Sequence, residues 1–424
     1  MISVENFKEL LHKRIDEILI NKTVNRTVLE NEIADMKEAD GIPENFDIYT
    51  VEKILEEFGI SVNNSEVEEE EQSVQIEKPF DPEKIDIAMD RIVCISLIKR
   101  LVNGAFELES DFQRKAGLWS IEQKSRLIES ILLKIPLPAF YFDSSDNDRW
   151  LVIDGLQRLS TLNEFIVKES FKLTNLEFLK QWEGLKFSEL PFSLKSTIEE
   201  TNLNAYLVRK ATPKNVKYNI FRRINTGGLV LTPQEIRNAL YQGKATKFLR
   251  KMAESKYFCD ATSNSIKTDR MLDREFCLRY IAFTKLPIDS YNNSIDDFLI
   301  SAMEFLNNST DEQLDLYYEE FEQSMKIAFY IFDRYAFRKL RFDERRTPIN
   351  KAIFEGWSKV ISQLDNEKQE QLVGQKTLVK SKFTKKCEED DDFIYYLKAN
   401  DKFTLKKRIE AFEALVKEVW DESD

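Results

Sequence analysis

The stretch Trp150-Leu151-Val152-Ile153-Asp154-Gly155-Leu156-Gln157-Arg158-Leu159-Ser160-Thr161-Leu162 decides the fold. Its apolar start reads as a strand, Asp154-Gly155 as a turn, and the remainder as a helix. A strand running straight into a helix places polar side chains and unpaired backbone N–H groups at one mouth, where the helix dipole favours anions. Arg158 adds positive charge there. Asp154 suits a metal ion or the positioning of a water, and Gln157 can orient a water or a base. A purely structural reading also fits: Asp154 caps the helix and Arg158 pairs with it.

Working outward, Ala139 to Phe142 and Trp150 to Ile153 read as paired strands joined by the polar turn Asp143 to Asp148. Before them, Pro82 to Val102 carries apolar residues at helical spacing and predicts a helix, and Ala105 to Ser110 alternates like a short strand. Ile121 to Lys134 predicts a helix that ends at Ile135-Pro136-Leu137-Pro138, because proline cannot continue one. Leu203 to Val208 predicts another strand, and Thr212-Pro213 opens a further helix. Helical periodicity dominates 251–424, for example over Ala302 to Leu306, Leu314 to Tyr335, Asn350 to Leu364 and Leu405 to Trp420. The expected class is α+β. The expected divisions are a small helical unit over 1–62, an acidic linker over 63–80, an α+β domain over 81–250 and a helical domain over 251–424.

Two further clusters flank the central stretch. Asp111-Phe112-Gln113-Arg114, followed by Trp119, offers an arginine shaped for bidentate phosphate contact. Asn219 to Gly228 contains Arg222, Arg223 and Asn225 before a Gly227-Gly228 bend, and Thr232 starts a new helix.

The order Phe112-Gln113-Arg114, Trp119, Leu127-Ile128-x-Ser130-Ile131-Leu132, Pro136-x-Pro138, Asp154-Gly155-x-Gln157-Arg158-Leu159-x-Thr161-Leu162, Arg223-Ile224-Asn225-x-Gly227-Gly228 and Leu231-Thr232 resembles one family. This is the GmrSD N-terminal family of ParB/sulfiredoxin-like domains, domain-of-unknown-function family 262, with its DGQQR-type motif. The resemblance covers about residues 95–245. It implies a component of a prokaryotic anti-phage or restriction system that binds and hydrolyses a nucleoside triphosphate with Mg²⁺. By the resemblance, Asp154, Gln157 and Arg158 are the catalytic positions, with Asp154 also the metal ligand. Gln113, Arg114, Gly155, Ser160, Thr161, Arg223 and Asn225 are the nucleotide-binding positions. Leu156 departs from the motif, where the family has Gln.

The family often carries an HNH-type nuclease half. With His12 as its sole histidine, the chain supplies no such site, and the expected form stands alone and works with an effector nuclease or another defence protein. Two alternatives stay open: a metal-dependent DNA nuclease using Asp154, and a non-catalytic nucleotide-sensing or protein-interaction module.

Bulk composition narrows the choice. A net charge of -13 over 424 residues argues against general non-specific DNA binding. Arg334, Arg338, Lys339, Arg341, Arg345 and Arg346, with Phe337 and Phe342 between them, nevertheless form a basic stretch that could meet nucleic-acid phosphates; Arg338, Arg341, Arg345 and Arg346 are its candidate contacts. Cys94, Cys259, Cys277 and Cys387 are far apart and suggest no zinc or redox motif. Charges throughout the first residues and the lack of a membrane-length apolar run predict a cytoplasmic protein without a membrane association. Two acidic runs remain. Glu388 to Asp392 predicts an exposed loop, and Glu66 to Glu71 predicts either a solvated tether or a cover for a basic surface.

Overall fold

The structure, a computed structural model, describes residues 85–107, 119–224, 231–268 and 270–422, together with 23–25, 29, 33, 36, 51, 54, 55, 60–63, 67 and 68. The motif residues Asp111 to Arg114 and Asn225 to Gly228, most of the expected helical unit over 1–62 and most of the acidic linker lie outside the described residues. The chain forms two compact units, Glu77–Leu231 and a second that joins Met1–Ile76 to Thr232–Asp424.

In the second unit, strands β1 (Thr23–Asn25) and β2 (Ser61–Asn63) pair in parallel. The sheet of the first unit uses β3 (Ile87–Val93), β4 (Phe106–Glu107), β5 (Phe140–Asp143), β6 (Trp150–Asp154) and β7 (Asn202–Val208) in the order β3-β7-β5-β6-β4. Antiparallel β3–β7 and β5–β6 pairs alternate with parallel β5–β7 and β4–β6 pairs, so the sheet is mixed. Helices α1 (Cys94–Val102), α2 (Ile121–Leu132), α3 (Leu156–Ile166), α4 (Phe192–Glu200) and α5 (Lys214–Ile224) complete this unit. Its core joins sheet residues Phe140, Phe142, Val152, Ala205 and Leu207 to Leu97, Ile128, Ile131, Leu159, Leu162 and Phe165 of the helices. Period-two burial on β5 and β7, met by helical-period burial on α1, α2 and α3, is what closes this layer.

The β5–β6 hairpin, α2, α3 and the helix after Pro213 agree with the sequence expectations. The expected helix over Pro82 to Val102 does not: Ile87–Val93 is an edge strand paired with β7 along its whole length, and helix begins only at Cys94. Met89 is 57% exposed. On a strand with one neighbour and an open outer face, the spacing of Ile85, Met89 and Ile92 mimics a helical stripe without reporting burial. Cross-bonds fix the strand's start, since Thr212 Oγ1 accepts from the Asp86 N–H at 2.9 Å and donates to the Asp86 carbonyl at 3.1 Å.

The second unit is largely helical: α6 (Pro233–Leu240), α7 (Lys244–Ala253), α8 (Lys256–Thr262), α9 (Leu272–Lys285), α10 (Ile295–Asn308), α11 (Asp311–Phe332), α12 (Lys351–Gln363), α13 (Asn366–Gly374), α14 (Lys376–Glu389), α15 (Asp391–Tyr396) and α16 (Lys402–Asp421). Thr232 and Glu235 form a reciprocal capping box at the start of α6, with Pro233 in the first turn. The acidic run Glu388 to Asp392 is exposed but is no loop: Glu388 and Glu389 end α14, and Asp390 caps α15 by accepting from the Phe393 N–H at 2.9 Å. Acidic residues at a helix start are satisfied by cap bonds and dipole, which a run of like charge does not reveal. Val51, Ile54 and Leu55, within the helical unit expected over 1–62, are helical and buried. Among the described residues no helix is long and apolar enough to cross a membrane.

Candidate functional site

Strand β6 ends at Asp154 and α3 starts at Leu156, so one residue makes the joint. Gly155 does so at φ 103°, in the left-handed region, and a Cβ there would stand 2.4 Å from the Phe140 ring. Only glycine satisfies both demands. Gly155 also occupies the cap position of α3 and offers no side-chain bond to it. The cap residue itself therefore satisfies none of the first N–H groups of α3 with a side chain. Asp154 does not cap the helix, contrary to one expectation.

Arg158 lies one turn into α3 and reaches back under the joint. Its Nη2 donates to Asp154 Oδ2 at 2.8 Å and to the Ala139 carbonyl at 3.2 Å, and its Nη1 donates to the Pro138 carbonyl. The guanidinium also stands over the Phe140 ring, 4.5 Å from its centre. It is buried, and burial pulls its pKa down against the opposing pull of Asp154. Arg158 therefore ties α3 to β5, β6 and the Pro-rich connector, as the fork geometry of arginine allows. It is a positioning residue with little left to offer a ligand.

Asp154 keeps a side chain 39% exposed while one oxygen is held by Arg158. Tyr141 sits opposite it in the ladder and stacks on Tyr206 at 4.8 Å. Burial, Tyr206 and the Asp154 charge all raise the Tyr141 pKa, so its phenol stays a hydrogen-bond donor at neutral pH. Gln157 and Ser160 are half-buried on α3, while Thr161 is buried and donates to the Gln157 carbonyl at 2.8 Å. Thr161 thus faces the interior.

Arg223 is exposed at the C-terminal end of α5, and Arg222 beside it is half-buried. A residue that the sequence reading overlooked fixes this helix. Buried Lys217 donates to both oxygens of Asp143 at 2.9 Å each, and also to Ser145 Oγ. The pair joins α5 to the end of β5 and sets where the Arg222-Arg223 end stands. A lysine amid polar residues carries no sequence signal of burial; only the clustering of Asp143 and Ser145 in the preceding turn hints at a partner. Glu129 was overlooked as well. Buried on α2, it accepts the N–H groups of Glu177, Phe178 and Leu179 at 3.0, 2.7 and 2.8 Å. Burial raises its pKa, but these bonds and Arg126 outweigh it and leave the carboxyl below its usual value.

A cavity of about 510 Å³ lies beside the joint, lined by Lys134 to Pro138, Phe140, Thr197, Glu200 and Asn202 to Asn204. Asp154, Gln157 and Arg158 do not line it. Arg158 touches it only through the wall it holds, Pro138 and Phe140. Among the described residues, no three His, Cys, Asp or Glu side chains come together as a metal site.

The basic stretch of the helical unit is largely engaged. Arg338 is 1% exposed and donates to the Thr347 carbonyl and to Ser265 Oγ, which takes it off any surface. Arg341 pairs with Asp343 at 3.2 Å and with Glu388 at 3.7 Å, Arg345 pairs with Asp343 at 3.6 Å, and Arg346 donates to Ser265 Oγ at 3.1 Å.

A mixed sheet whose strand passes through an Asp-Gly joint into an arginine-braced helix defines an α+β domain of the kind the motif order anticipates. Residues 97–242 match the family described as GmrSD restriction endonuclease, N-terminal domain. The match starts within α1 and ends just beyond α6. No curated protein and no solved structure was found to match the chain.

Proposed function

We propose that the chain is a component of a restriction or anti-phage defence system that binds a nucleoside triphosphate with Mg²⁺ at the Asp154-Gly155 joint and hydrolyses it. The family match supports the defence role. The observation that carries the nucleotide reading is the half-exposed Asp154 carboxylate beside an α3 start whose cap residue is a glycine. An anionic side chain next to an anion-attracting helix end repels a bare phosphate, but accepts one bridged by a divalent cation. Mg²⁺ is commonly held by one or two carboxylates plus the phosphates themselves, so a single Asp fits a metal that arrives with the nucleotide. Gln157 would orient the attacking water, Ser160 would bond a phosphate oxygen, and Arg158 would hold Asp154 in place. Gln113, Arg114 and Asn225 would complete the nucleotide contacts.

Phosphate release from each of the four common nucleoside triphosphates, with and without Mg²⁺, tests this reading. Turnover that needs Mg²⁺ is expected; neither turnover nor binding with any of them would refute it. One observation favours a second reading. Arg158 is committed inside the fold, so among the described residues of the joint no arginine is placed to stabilise a transferring phosphoryl group. Binding without turnover would make the domain a nucleotide sensor that signals to an effector.

A further inference from the structure

Tyr141 and Tyr206 alternate along their strands with the core residues Phe140, Phe142, Ala205 and Leu207, so their rings stand on the opposite face of the sheet. On that face the strand registers set one transverse row. Met89 of β3 lies opposite Tyr206 of β7, Tyr206 opposite Tyr141 of β5, and Tyr141 opposite Asp154 of β6. The two rings stack, with centres 4.8 Å apart and planes inclined by 18°. Both tyrosines are half-buried, and Met89 at the far end of the row is exposed. Lys217 of α5 closes this face at Asp143, two residues beyond Tyr141 on β5. The stack therefore lies outside the hydrophobic core and beside the Asp154-Gly155 joint.

We propose that the Tyr141–Tyr206 stack is the base-binding platform for the nucleotide whose Mg²⁺-bridged phosphates meet Asp154, an inference that rests on the nucleotide reading of that site. An aromatic ring takes a nucleobase by stacking, and every base has a π-face, so such a platform accepts all four common bases. The reach agrees. Neighbouring strands lie about 4.8 Å apart, which puts β7 and its Tyr206 about 10 Å across the sheet from Asp154. That leaves room for a ribose and the inner phosphates between a base at the stack and a terminal phosphate at the carboxylate. The row also follows the order of a nucleotide's own chemistry, apolar side chain and rings at one end and the acid at the metal end. Between them the Tyr141 phenol, kept protonated by burial, by Tyr206 and by the Asp154 charge, can donate to a ribose or phosphate oxygen. A nucleic-acid strand would bring many further phosphates to a chain of net charge -13, which favours the single nucleotide.

Calorimetric titration of the full chain with ATP, GTP, CTP and UTP, and with inorganic tripolyphosphate, each with Mg²⁺, separates base binding from phosphate binding. Tyr206→Leu and Tyr206→Thr both remove the ring, one strand away from the residue that faces Asp154, and each is checked for fold by circular dichroism. Two such variants guard against one that misfolds. Both are expected to bind every nucleotide roughly tenfold more weakly than wild type, and tripolyphosphate as tightly as wild type does. Tyr206→Phe keeps the stack and is expected to bind the nucleotides within about twofold of wild type. Nucleotide binding unchanged by loss of the ring, or nucleotide and tripolyphosphate binding weakened alike, would overturn the platform and leave the Asp154 reading standing. Failure of wild type to bind any nucleotide would overturn both.

Discussion

At Gly155 the backbone stands at φ 103° with the Phe140 ring 2.4 Å from where a Cβ would be. Gly155→Ala meets both penalties, backbone strain and overpacking, and should cost about 2–4 kcal/mol in urea unfolding of the protein. Arg158→Lys keeps the charge but loses the fork that reaches Pro138, Ala139 and Asp154 together. It is expected to destabilise by about 2–3 kcal/mol, and a well-packed Arg158→Met by no less, because Asp154 and two carbonyls lose their donor. If Arg158→Lys left stability unchanged, the bracing role would be wrong. The sequence made this joint legible because strand, Asp-Gly and helix are contiguous and each has a local physical signal. Which way Arg158 turns was not legible, since a guanidinium near a helix start serves a phosphate or a backbone carbonyl equally well. The structural alternative that pairs it with Asp154 proves right, while the cap it assigned to Asp154 proves to be Gly155.

At the scale of elements, Glu129 shows how one side chain fixes a segment that has no regular structure. Three N–H groups of the connection after Ser170 end on its carboxylate, whose folded pKa is lowered. A lowered folded pKa contributes stability that is present above the unfolded value, about 4.3, and is lost as pH falls through the folded value. Glu129→Gln should therefore cost about 2 kcal/mol at pH 7, with the gap from wild type closing as pH drops below about 4. Denaturant titrations across that range check it, and a gap independent of pH would contradict the assignment. Strand β3 marks the limit of reading elements from pattern. The hairpin β5–β6 has buried faces that write themselves into the sequence, whereas an edge strand with exposed Met89, Asp90 and Arg91 has little burial to record. What identifies β3 is its seven-residue pairing with β7, and that partner lies more than a hundred positions along the chain.

Over the whole molecule, the helical unit contains a buried chain of charges. Asp296 pairs with Arg237 at 2.7 Å, Arg237 with Glu275 at 3.6 Å and Glu275 with Arg279 at 3.1 Å. Arg279 and Arg408 then share Glu355, the latter at 2.6 Å, and Lys351 joins Glu275 at 3.0 Å. Removing one member leaves its partners buried and uncompensated, so Glu355→Ala should cost about 3–5 kcal/mol. Calorimetry should show that loss, and a shift within about 0.5 kcal/mol would mean that the network is not coupled. Helical periodicity announced these helices, but not the charge network, because arginine and glutamate in helices are ordinarily surface residues. Beyond either unit's stability lies the claim that Asp154 serves nucleotide chemistry. The direct measurement is Mg²⁺-dependent phosphate release by Asp154→Asn beside wild type, with both shown to be equally folded. If Asp154 serves that chemistry, wild type turns over and the variant loses at least about a hundredfold, the scale of one electrostatic catalytic contact. Equal turnover by the two proteins, or turnover indifferent to Mg²⁺, would contradict it.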